Sequence, residues 1–132
     1  MKLKLLALAL LTSSAAVYAA TDVKPQVQEA FALAEGMKMA IADYATNHNA
    51  LPATNAEAQL PDAGMIQGKY VASSTVSPSR IDFEFGPGAD ASIQSKHLTL
   101  VGTLNADKTV AWACQSNDLP ADACPTDCSC TH

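Results

Sequence analysis

The chain has 132 residues, a net charge of −5 and only 5% aromatic residues. An acidic surface repels phosphate backbones, and few aromatics leave little to stack bases or sugars on, so nucleic-acid binding is disfavoured. The length suits one small domain, whose core buries only about two-thirds of the unfolded surface and gains from cross-links.

Residues 1–19 read as a cleaved secretory signal. Lys2 and Lys4 make a positive start, Leu5–Leu11 is an apolar run, Thr12-Ser13-Ser14 breaks it, and Val17-Tyr18-Ala19 suits a cut after Ala19. That run is far shorter than the ~20 residues a membrane-spanning helix needs, so no stable membrane insertion is expected after cleavage. The mature domain would be residues 20–132, and loss of the two lysines would take the net charge from −5 to −7. Export into an oxidising compartment permits disulfides.

Lys24–His48 has the spacing of an amphipathic helix, with Val27, Ala30, Phe31, Ala34, Ile41, Tyr44 and Ala45 recurring on one stripe. Pro25 is tolerated in the first turn, and Glu29 lies where a negative charge suits the helix dipole. Gly36 is a mild weak point. Asn47-His48-Asn49 followed by Leu51-Pro52 ends the helix. Residues 51–68, with Pro52, Asn55, Pro61, Gly64 and Gly68, predict a surface loop with at most a short helical turn.

Four strands are predicted next: Lys69–Val76, Arg80–Phe85, His97–Leu104 and Thr109–Cys114. Ile81, Phe83 and Phe85 alternate with Asp82 and Glu84, and Val110, Trp112 and Cys114 share one face. Ser77-Pro78-Ser79 and Asn105-Ala106-Asp107-Lys108 are hairpin-length connections. The expected fold is α+β: one long helix packed on a four-stranded antiparallel sheet, followed by a cysteine-bearing tail.

No catalytic constellation stands out. Asp82 and Glu84 read as the solvated side of a strand, Gly86-Pro87-Gly88 is too short and proline-interrupted for a phosphate loop, and His48 and His97 read as a helix end and a surface position. Four cysteines allow three pairings. Cys124, Cys128, Cys130 and His132 also offer four metal-ligand types within nine residues, though not at a zinc-finger spacing. Intermolecular bonding through the tail is a third arrangement.

From Gln26 to Cys124 the chain resembles the globular part of type IV pilins, the major-pilin type of Gram-negative bacteria. The pieces are Gln26-Val27-Gln28-Glu29-Ala30, Ala34-Glu35-Gly36-Met37-Lys38, Leu51-Pro52-Ala53-Thr54-Asn55-Ala56-Glu57-Ala58, Gly68-Lys69-Tyr70-Val71, Leu98-Thr99-Leu100 with Val110-Ala111-Trp112-Ala113-Cys114, and Leu119-Pro120 before Cys124. No single piece is specific; together, in this order, they are. Family members begin with a short basic leader ending in glycine, then an apolar helical stem. Here the first glycine is Gly36. The expectation is therefore a Sec-type signal in place of leader and stem, and no stem-driven polymerisation.

The resemblance implies a pilin-like fold with a Cys114–Cys124 disulfide closing the C-terminal loop, which leaves Cys128 and Cys130 able to bridge each other. It implies a non-enzymatic structural or interaction role linked to type IV pili, as pilus component, accessory or adhesion-related factor, without a cofactor. Pilins or pilus-assembly proteins are the implied partners, in the periplasm or outside the cell. Val27, Phe31, Ala34 and Ile41 are the expected interaction face, provided the sheet leaves them uncovered. The alternative is a periplasmic metal- or small-ligand-binding module built on the Cys/His tail, with no metal favoured.

Overall fold

The computed structural model describes residues 22–131. Asp22 caps the first helix, its side chain accepting the Lys24 N–H at 3.0 Å. Helix α1 spans Val23–His48, about 39 Å at 1.5 Å per residue. It ends where Asn49 takes a left-handed conformation (φ 52°) and donates its N–H to the Ala45 carbonyl at 2.9 Å. The buried positions, Val23, Gln26, Val27, Ala30, Ala34, Met37, Ile41 and Ala45, step by three or four along one side. Phe31 and Tyr44 flank that stripe and are half-buried.

Residues 51–68 form the predicted loop, with one 3-10 turn at Ala63–Met65. The strands follow as β1 Val71–Ser77, β2 Arg80–Phe85, β3 His97–Leu104, β4 Val110–Ser116 and β5 Cys128–Cys130. They lie in sequence order in one sheet, β1 to β4 antiparallel. The sheet thus has five strands where four were expected. The tail folds back and pairs β5 parallel to β4, with Cys114 opposite Cys128 and Ser116 opposite Cys130. This pairing extends β4 two residues beyond its predicted end.

Ile81, Phe83, Phe85, Leu98 and Leu100 point inward from the central strands and meet the helix stripe, and each is at least 98% buried. Ile93 and Ala89, in the β2–β3 connection, close one end of this core. Burying apolar area at about 25 cal/mol per Å2 is what holds the helix on the sheet.

Polar side chains fix the register of this packing. The Glu29 carboxylate accepts backbone N–H groups from Lys69 (3.0 Å), Tyr70 (2.8 Å) and Val71 (2.8 Å). Because Glu29 takes those N–H groups, β1 begins at Val71 and not at Lys69. Glu29 was expected to serve the helix dipole; it reaches across to the sheet entry instead. Buried Gln26 accepts the Asp90 N–H at 2.7 Å, tying α1 to the β2–β3 connection. Asn55 binds the outer edge of β1, donating to the Ser74 carbonyl at 3.1 Å and accepting from Val76 N–H at 2.6 Å. Its amide thereby occupies an edge that would otherwise invite another strand.

Candidate interaction surface

Three features outside the core shape the surface: the C-terminal segment, a groove beside it, and the outward side of α1.

The C-terminal segment, residues 117–131, is a compact knob. It begins at Ser116, whose buried hydroxyl donates to the His97 carbonyl at 2.6 Å and accepts the Leu119 N–H at 3.0 Å. Leu119 and Ala123 are fully buried and anchor the knob in the core. Pro120 turns the chain, its carbonyl accepting from Ala123 (2.9 Å) and Cys124 (3.1 Å). The end returns to the start, with Thr131 N–H on the Ser116 carbonyl at 3.0 Å.

The cysteines pair as Cys114–Cys128 and Cys124–Cys130, and no cysteine is free among the described residues. This corrects the expected Cys114–Cys124 bridge and the Cys128–Cys130 bridge that would accompany it. The reason is the strand that the sequence did not reveal: parallel pairing sets Cys128 directly beside Cys114. Cys130, two residues on, meets Cys124 as the knob closes. The metal reading loses its ligands, since Cys124, Cys128 and Cys130 are all in disulfides, and His132 lies outside the described residues.

Charged groups brace the outside of the knob. Asp118 accepts the His97 backbone N–H and faces the His97 Nδ1, both at 2.8 Å. Glu84, across the β2–β3 pair from His97, lies 3.8 Å from Nε2. Burial pushes the Asp118 carboxyl up, but the His97 N–H, the imidazole and the Ser116 hydroxyl outweigh it and hold the group below its usual value. Ser116, His97 and Asp118 do not form a hydrolytic triad. The serine hydroxyl is spent on the His97 backbone carbonyl and not on the ring.

A groove of about 570 Å3 runs between α1 and the β4–β5 edge, lined by Phe31, Lys38, Leu100, Trp112, Cys114 and Asp127, among others. Trp112 packs against Gly102, its cross-strand partner, where any Cβ would stand 3.0 Å from the indole ring. Trp112 is half-buried and walls the groove.

Most of the predicted interaction face is buried, and only Phe31 reaches the groove. Val27 and Ala34 are essentially inaccessible, Ile41 is 2% exposed and Phe31 is half-buried. A helix with a single apolar stripe spends it on its own sheet. The opposite side of α1 carries exposed Ala32, Gly36, Met39 and Ala42, with Met39 71% exposed. The spacing of these residues signals that side, but their small size hides it from a search for apolar stripes. Among the described residues no helix is long and apolar enough to cross a membrane. The expected cleavage after Ala19 lies outside the described residues, as does the boundary at residue 20.

The family profile described as pilin (bacterial filament) matches residues 23–129. The chain belongs to the pilin family. Fimbrial protein EcpC of Eikenella corrodens is 36% identical over 110 residues, covering 80% of this chain and 69% of the relative. Type IV major pilin protein PilE1 of Neisseria gonorrhoeae is 36% identical over 92 residues, covering 69% of this chain and 42% of the relative. Type IV major pilin protein PilE of Neisseria gonorrhoeae is 34% identical over 92 residues, covering 69% of this chain and 54% of the relative. The chain thus spans about half the length of the two Neisseria relatives.

Proposed function

We propose that this is an exported, non-catalytic component of type IV pili, working through contacts with pilins or pilus-assembly proteins in the periplasm or outside the cell. The observation that carries the reading is the pilin profile over residues 23–129, which takes in the helix, the loop, β1 to β4 and the first two residues of β5. Export rests on the N-terminal Lys-start, Leu/Ala run and Val17-Tyr18-Ala19 site, and the two disulfides suit an oxidising compartment. An accessory or adhesion-related role, contacting filaments without building their core, is the finer form of the same reading.

The outward side of α1 supplies the contact, because its small residues let a second helix approach closely and Met39 projects from them. The test is affinity capture of the tagged, exported protein from cells that make type IV pili, with mass spectrometry of the captured proteins. Recovery of a pilin or assembly protein that is lost in Met39→Glu supports the proposal. Capture of neither, or capture unaffected by that exposed substitution, counts against it. Phe31 and Ile41 are unsuited to this test because changing them damages the fold.

A further inference from the structure

The two disulfides have different jobs. Cys124–Cys130 lies wholly within the knob and closes a short ring, with a sequence separation of 6. Among the described residues, Cys114–Cys128 is the only covalent link between the knob and β4 apart from the chain itself, with a separation of 14. Strand β5 has three residues, one neighbour and parallel pairing, the weaker arrangement per residue. Noncovalently the knob is held by the burial of Leu119 and Ala123 and by the Ser116, His97 and Asp118 bonds. Parallel pairing on β4 sets the β5 register, with Cys128 opposite Cys114 and Cys130 opposite Ser116. Any β5 laid there in the same register brings a Cys128 to Cys114.

Cys114 is also reachable. It lines the open groove together with Lys38, which is paired with Glu35 at 3.3 Å, and Asp127, so a small thiol has access to its sulfur.

We propose that Cys114–Cys128 is an exchangeable clip, through which the C-terminal knob of one copy couples covalently to β4 of a second copy. This stands independently of the pilus reading. A small thiolate of the glutathione class enters the groove and attacks the Cys114 sulfur. The bond to Cys128 breaks, Cys128 leaves as a thiolate, and Cys114 carries the mixed disulfide. The Cys128 thiolate of a second copy, its knob released in the same way, attacks that Cys114 sulfur and expels the small thiolate. A reciprocal pair exchanges two intrachain bonds for two interchain bonds. The thiol is regenerated, and no net oxidant or reductant is consumed. The incoming knob fits because it is the element the site already holds, as in domain swapping. Cys124–Cys130 stays intact within its own knob, where its two sulfurs are held at high effective concentration. Like charge opposes the encounter, so coupling rises with salt.

The experiment mixes oxidised protein of natural isotope content with uniformly heavy-labelled protein, under native conditions with a catalytic amount of reduced glutathione. The thiols are then quenched, and the disulfide-linked peptides are read by mass spectrometry. The expected result is mixed-label Cys114–Cys128 peptides within covalent dimers, which dithiothreitol abolishes, while Cys124–Cys130 peptides stay single-label. The double variant C114S/C128S loses the covalent species entirely. Absence of mixed-label peptides overturns the proposal, and so does mixed-label bonding spread over all four cysteines. If the double variant fails to fold, the isotope experiment on the unaltered chain decides alone.

Discussion

Glu29 and Gly68 occupy one another's space. The Glu29 carboxylate, holding three backbone N–H groups at the start of β1, lies where the Cβ of any other residue at position 68 would stand. One residue sits on the helix and the other 39 positions later, and together they set where the sheet begins. Glu29→Ala leaves three N–H groups without their acceptor and lowers stability by about 2–3 kcal/mol. Gly68→Ala costs about 1–3 kcal/mol by forcing the carboxylate aside. The double variant is less destabilised than the sum, because the clash disappears with the carboxylate. Denaturant unfolding of all four proteins measures this coupling, and strict additivity would show the contact to be energetically idle.

Asn55 plays the matching part at the outer edge of β1. Asn55→Ala removes bonds to Ser74, Val76 and Pro61 and lowers stability by about 1–3 kcal/mol. It also uncovers the β1 edge, so the variant aggregates at a lower concentration than the parent. Light scattering at matched fractions folded separates this effect from the loss of stability.

The crossed disulfides are checked by peptide mapping of the oxidised protein. Cleavage between the cysteines should give Cys114–Cys128 and Cys124–Cys130, with no Cys114–Cys124 peptide. Replacing Cys114 and Cys128 together with alanine removes a loop constraint worth about 3 kcal/mol. Hydrogen exchange should then rise first in β4 and β5 and leave β1 to β3 protected.

Stability should depend on Asp118 in acid. Its carboxyl sits below its usual value when folded, so the unfolded chain takes up a proton there first as the pH falls. The stabilisation is complete above the ordinary carboxylate range and is lost as the pH drops through the folded value, in the region below about pH 4. Asp118→Asn should be less stable than the parent near neutrality and lose less on acidification. Denaturant midpoints at several pH values make the comparison, and parallel pH curves would rule the effect out.

Gly36 is open to improvement. Beyond its chain neighbours and the helix's own backbone, no atom lies within 4 Å of where its Cβ would stand, so Gly36→Ala should gain about 1 kcal/mol from helix propensity alone. A rise of roughly 4 °C in the melting temperature is expected. If this side of α1 contacts a partner, the more stable variant should still bind less of it in the capture experiment.

The periodicities along the chain were enough to place one helix and four strands close to their observed bounds, because hydrophobic spacing of 3.6 and 2 residues is a local property. The pilin motifs acquire physical reasons in three dimensions: Gly68 yields to Glu29, Asn55 reads the β1 edge, and Pro52 and Ala58 are buried. Residues 128–130 were not legible as a strand. Three residues with no alternation carry no signal, and they are extended because β4 lies beside them. The disulfide pairing followed from that placement, since which sulfurs meet depends on positions in space and not on intervals along the chain. The same holds for the interaction face. Val27, Phe31, Ala34 and Ile41 were visible as an apolar stripe, but only packing decided that this stripe meets the protein's own sheet and leaves the opposite side of the helix to face outward.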